Sequence, residues 1–150
     1  MKEHVDRKIL TLMLNNPEIS QKEIARRLQV TPPAVNSRIQ RMRRNGVITG
    51  FAPVVDLQKL GYEITIVMEL RGKDGKFADA ANVLAKEKCV SSVYLITGDY
   101  DVLVVAKFKK MSEFHEWVQR ILKERDLIIR TKSSLAVSSP RESVVPNEIS

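Results

Sequence analysis

The sequence predicts an α+β chain in two parts: an N-terminal winged helix-turn-helix, then a βαββαβ ferredoxin-like sandwich. Three observations carry this. Apolar residues recur at helical spacing as far as Arg44. From Tyr62 the spacing changes to strand-like runs interrupted by two helical ones. Positive charge is concentrated in the first part.

The first helix covers about residues 4–14, where Val5, Ile9, Leu12 and Met13 share a face. Asn15-Asn16-Pro17 breaks it. Ser20, with Glu23 three residues on, is a capping box that starts a second helix. Ile24, Ala25 and Leu28 form its core face, and Gln29-Val30 is the turn. Thr31 caps a third helix, and Pro32 suits the first turn, where an N–H has no helical partner to lose. Val35, Ile39 and Met42 make the buried stripe. Asn36, Ser37, Arg38, Gln40, Arg41, Arg43 and Arg44 occupy the other faces. Gly46 is placed to end the helix in the left-handed conformation. Two short helices and a tight turn, the second helix loaded with cations, are the layout of a helix-turn-helix. In that motif the second helix enters a DNA major groove. Val47-Ile48 and Phe51-Ala52 flank Thr49-Gly50 and are expected to form a small hairpin, the wing.

Charge points the same way. Residues 1–50 carry ten Lys and Arg against four Asp and Glu, a net of +6. Residues 51–150 carry fifteen against fourteen, a net of +1. The excess therefore lies on the segment with the motif, and phosphate neutralisation needs cations gathered on one surface.

In the second part, Tyr62–Arg71 reads as a strand and Gly72–Gly75 as a turn. Phe77, Ala80, Ala81, Leu84 and Ala85 have helical spacing. Val90–Thr97 is the next strand, Gly98-Asp99-Tyr100 a tight turn, and Asp101–Phe108 a third strand, paired as an antiparallel hairpin. Ser112 is expected to cap a helix with Phe114, Trp117, Val118, Ile121 and Leu122 inside, and Leu127–Val137 is the last strand. Both helices cover one sheet face. Val67 and the apolar residues of both parities in 101–108 require cover on the other, so self-association is expected.

No apolar run approaches the ~20 residues of a membrane span. The N-terminus has dispersed charges and no apolar signal core, so a cytoplasmic protein is expected. The single Cys89 cannot form an internal disulfide and reads as a packed, inert thiol. No Cys, His and carboxylate spacing suggests a metal, and no phosphate loop or nucleophile–base motif suggests catalysis. His4 and His115 stand alone. No cofactor, catalytic residue or metal ligand is expected.

Taken together, the chain resembles the Lrp/AsnC (leucine-responsive, feast/famine) transcriptional regulators over about residues 4–137. The matching stretches are Asp6–Leu14, Arg38-Ile39-x-Arg41-Met42 with Gly46-Val47-Ile48, and Thr97-Gly98-Asp99-Tyr100-Asp101. Such proteins often carry Gly where Gln29 stands and Leu where Met42 stands. The resemblance implies a DNA-binding domain at 1–50, a hinge at 51–61, an effector-binding and oligomerisation domain at 62–137, and a polar tail at 138–150. It implies a homodimer or higher homo-oligomer reading a pseudo-palindromic site in double-stranded DNA. Thr31 is then expected among the DNA-binding residues, with Pro33, Ala34, Ser37 and Arg38 near base edges and Arg41, Arg43 and Arg44 at phosphates. For Arg38 and Arg41 the alternative is an intradomain salt bridge. An amino-acid ligand between dimers would meet Gly98, Asp99, Tyr100 and Asp101, with Ser133 and Ser134 adding hydroxyls. Two other readings are a siroheme-decarboxylase-like subunit and a ligand-binding module without DNA binding. The first lacks converging histidines, and the cations at Arg38, Arg41, Arg43 and Arg44 argue against the second.

Overall fold

The computed structural model describes residues 2–123 and 127–139. The chain divides into two compact units, Met1–Pro53 and Val54–Ser150.

The first unit holds α1 (Lys2–Asn15), α2 (Gln21–Leu28) and α3 (Pro32–Arg44). Ile9, Ile24, Ala25, Val35, Ile39 and Met42 close its core. Ser20 Oγ accepts the Glu23 amide at 3.1 Å and caps α2. The return half of the expected capping box is not made. The Glu23 carboxylate is held instead by Arg26 and Arg27, because charged donors outcompete a neutral amide. At the end of α2, Gln29 adopts a left-handed φ of 54°. Its amide reaches the Arg26 carbonyl, and the Val30 amide reaches Ala25. α3 ends the same way, with Gly46 at φ 70°. The Gly46 amide bonds Arg43 O at 3.0 Å and the Val47 amide bonds Met42 O at 2.9 Å, the paired bonds of a Schellman cap.

The expected wing hairpin is not formed: residues 47–52 contain no strand. The Val47 and Ile48 amides both turn back to Met42 O, so the donors a ladder would use close the helix instead. A lone two-stranded ribbon has too little packing to reverse that choice.

The second unit is a four-stranded antiparallel sheet in the order β2-β3-β1-β4. Its strands are β1 (Ile64–Gly72), β2 (Val90–Leu95), β3 (Val102–Phe108) and β4 (Ile128–Leu135), and its helices are α4 (Phe77–Leu84) and α5 (Met111–Lys123). Alternate residues Ile66, Met68 and Leu70 of β1 pack with Leu84 of α4 and with Trp117 and Ile121 of α5. Both helices therefore cover one face. On the other face Val67 pairs with Val105, and Glu69 with Leu103; all four are only partly buried.

Two expected details differ in α5. Ser112 lies inside the helix rather than at its cap. Glu113 does the capping, its Oε2 accepting the Lys109 amide at 2.9 Å and the Lys110 amide at 3.4 Å. A carboxylate near the positive end of the helix dipole binds those orphan amides better than a hydroxyl. Leu122 is exposed, one position beyond the packed stripe. The expected polar tail at 138–150 falls almost wholly outside the described residues.

Candidate nucleic-acid interface and effector turn

Three stripes run along α3. Val35, Ile39 and Met42 are buried. Opposite them stand Pro33, Ser37, Gln40 and Arg44, all exposed. Their i, i+4, i+7, i+11 spacing lines them up on one outward face. Gln40 is missing from the sequence-based expectation, although this spacing is the signal that finds it.

The helix entry carries no free amides for an anion. Pro32 and Pro33 have no N–H. The Ala34 amide is taken by Thr31 Oγ1 at 3.4 Å, and the Val35 amide by Thr31 O at 3.1 Å. Thr31 is thus a cap. Ala34 is half-buried, and Pro33 offers an exposed apolar ring.

Arg38 and Arg41 lie on the third stripe, toward α1. Arg38 Nη1 meets Asp6 Oδ1 at 2.9 Å, and Arg41 Nη2 meets Asp6 Oδ2 at 2.5 Å. The Asp6 side chain is 18% exposed, Arg38 24% and Arg41 39%. Burial alone would raise the Asp6 carboxyl; hydrogen bonds from the two guanidiniums outweigh it and hold the group below the usual value. The Arg38 and Arg41 guanidiniums are drawn to α1, forming the intradomain salt bridge that is the alternative for both residues. Arg43 and Arg44 are exposed. Arg43 stacks over the Phe51 ring at 5.0 Å, so this cation is steadied rather than freely mobile. On α2, hydrogen bonds from Arg26 and then Arg27 draw the Glu23 carboxyl down to about 2, and that carboxylate offsets one of the helix's three cations, Lys22, Arg26 and Arg27.

In the second unit the expected effector residues separate into two groups. Gly98, at φ 127°, and Asp99 sit exposed at the tip of the β2–β3 turn. Tyr100 is half-buried, with the Arg130 guanidinium 5.7 Å from its ring centre. Asp101 is tied into the sheet: its Oδ2 accepts the Gly72 amide at 2.8 Å, and its own amide bonds Leu70 O at 2.9 Å. Ser133 and Ser134 are not brought to the turn. They pair with Met68 and Val67, and successive strand residues face opposite sides. The sheet sets Thr131 against Leu70, so the β4 residues near the turn are Arg130 and Thr131. The β4 register follows from a long-range pairing that residue spacing does not reveal.

A cleft of about 520 Å³ opens elsewhere in this unit, lined by Tyr62, Cys89, Phe108 and Trp117 among others. Glu87 bridges it, accepting Trp117 Nε1–H at 3.2 Å and two Arg120 bonds at 2.7 and 2.6 Å. Burial, then the Glu87 charge, pushes the Cys89 thiol up to about 12. His4 and His115 are exposed and lie in different units. Among the described residues no group of three or more His, Cys, Asp or Glu is placed to hold a metal, and no helix is long and apolar enough to cross a membrane.

A helix-turn-helix unit joined to a split βαββαβ unit defines a class of two-domain DNA-binding regulators. Residues 2–49 match the family model described as winged helix-turn-helix DNA-binding, and residues 65–146 match the Lrp/AsnC ligand binding domain. The chain belongs to the Lrp/AsnC family of transcriptional regulators. It is 33% identical over 138 residues to an uncharacterised HTH-type transcriptional regulator of Pyrococcus furiosus, spanning 92% of this chain and 93% of that one. It is 29% identical to the HTH-type transcriptional regulator FL11 of Pyrococcus horikoshii, over 79% of each. Escherichia coli AsnC shares the fold with a TM-score of 0.84 at 22% identity, over 95% of this chain and 96% of that one. A Neisseria meningitidis transcriptional regulator solved as its L-Met complex has a TM-score of 0.84 at 20% identity, over 93% and 92%. The protein is a DNA-binding transcriptional regulator with a ligand-binding domain.

Proposed function

We propose that this regulator reads a pseudo-palindromic DNA site as a homodimer or larger assembly, and that a small amino acid tunes its binding by favouring one assembly state. The observation that carries the DNA reading is the outward stripe of α3. Pro33 supplies an apolar contact suited to a thymine methyl, while Ser37 and Gln40 supply groups that hydrogen-bond base edges. Arg43 and Arg44 meet phosphates. The effector reading rests on the ligand-binding family of the second unit and on its exposed turn. There Gly98 and Asp99 stand beside Tyr100 and Arg130. Asp99 suits an ammonium and Arg130 a carboxylate. Assembly is supported by the partly buried apolar positions Val67, Leu103 and Val105 on the face without helices. An effector acts only through different affinities for the two states.

Ser37→Ala and Gln40→Ala test the base contacts. Each is expected to lose about 1–3 kcal/mol at its own base pair and relax preference there. Full retention of affinity and preference in both removes α3's outward stripe from the reading. Calorimetry against the twenty amino acids tests the effector. Absence of binding at millimolar concentration overturns the amino-acid class.

A further inference from the structure

We propose that Asp6 of α1 is a positioning residue for DNA recognition: it fixes the Arg41 guanidinium as an oriented donor to one backbone phosphate, and withdraws Arg38 from general phosphate binding. The inference rests on the reading that α3 faces DNA.

One carboxylate engages two guanidiniums on successive turns of α3, at 2.9 and 2.5 Å. The three groups together keep a single positive charge. The two arginines are not equivalent. Arg38 is the less exposed, at the side of the helix nearest the core stripe. Arg41 is more exposed, next to the outward line of Ser37, Gln40 and Arg44. A guanidinium has five donors in a rigid plane, and its Asp6 bond uses one of them. Holding one edge on α1 fixes the direction of the other edge. A phosphate then finds its donor already oriented, without the rotamer entropy that a loose surface arginine loses on binding. The same carboxylate lowers attraction to any DNA at random, because one unit of charge is cancelled close to the helix. Asp6 therefore favours correctly docked DNA over non-specific DNA.

The test uses the full chain, a duplex carrying its selected site and a random duplex of equal length, titrated over a range of salt. Asp6→Asn is expected to weaken the selected site roughly tenfold while leaving random DNA equal or tighter. Its salt slope on random DNA should steepen by about one unit. Asp6→Glu, which keeps the charge, should recover part of the loss. Arg41→Lys keeps the charge but not the fork, and should show the same selective loss at an unchanged melting temperature. Equal tightening on both duplexes in Asp6→Asn, or wild-type binding in Arg41→Lys, overturns the positioning role alone. Arg44→Ala serves as the control for the underlying reading. If it leaves both duplexes unaffected, the DNA-facing assignment of α3 falls, and the role of Asp6 with it.

Discussion

Asp101 Oδ2 accepts the Gly72 amide at 2.8 Å, joining the start of β3 to the end of β1. The same end of β1 is sterically closed, since a Cβ on Gly72 would lie 2.7 Å from the Phe77 backbone. One of the two acidic residues expected at the effector turn therefore ties β3 to β1. Asp101→Ala is expected to destabilise the second unit by about 1–3 kcal/mol, because it orphans a buried amide. Gly72→Ala is expected to cost about 1–3 kcal/mol through overpacking. Denaturant titrations followed by the single Trp117, buried in this unit, measure both. Wild-type midpoints would mean that the turn is held by other contacts.

The left-handed Gln29 gives a prediction of opposite sign. A non-glycine residue at φ 54° carries strain of roughly 1 kcal/mol, while glycine loses more chain entropy on folding. Gln29 is exposed, so its side chain contributes little packing. Gln29→Gly should raise the stability of the first unit by about 0.5 kcal/mol, read by urea denaturation followed by helical circular dichroism. A loss of stability would show that strain at this turn is relieved elsewhere.

Much of this fold was legible in local spacing. The stripes of Val35, Ile39 and Met42 and of Ile66, Met68 and Leu70 are periodic, and periodicity reports burial directly. The cap at Gly46 was legible because only a few residues adopt its φ readily. What remained hidden depends on contacts distant in sequence. Asp6 meets Arg38 across 32 positions, so the sequence allows an intradomain salt bridge for Arg38 without naming its partner. The β4 register, which carries Ser133 and Ser134 away from the Gly98 turn, is likewise set by pairing with β1. The wing failed for a local reason: the two amides it needed serve the α3 cap.

The Glu87–Arg120 pair predicts the acid response of the second unit. Arg120 hydrogen bonds, opposed by burial, hold the Glu87 carboxyl below its ordinary value of 4.5. A carboxylate lowered by folding stabilises the folded state fully above its unfolded value. That contribution is lost as pH falls through the folded value. Wild type should therefore lose stability on acidification below about pH 4.5 more steeply than Glu87→Gln. Trp117 emission against urea at a series of pH values measures the difference. Parallel curves would show that the pair contributes nothing net, as exposed ion pairs often do.

Cys89 should be slow to alkylate. With its thiol pushed up to about 12, the thiolate is scarce at neutral pH, and the group is half-buried. Iodoacetamide at pH 8, followed by mass spectrometry, should label native protein far more slowly than unfolded protein. Equal rates would mean that the cleft opens freely.

Selection of bound sequences from random DNA, with and without each of the twenty amino acids, tests the central claim most directly. The expected result is an inverted repeat with half-sites about one helical turn apart or a multiple of it. At least one amino acid should shift affinity for that repeat. Enrichment of no motif, or of one unpaired half-site that no amino acid affects, would contradict it.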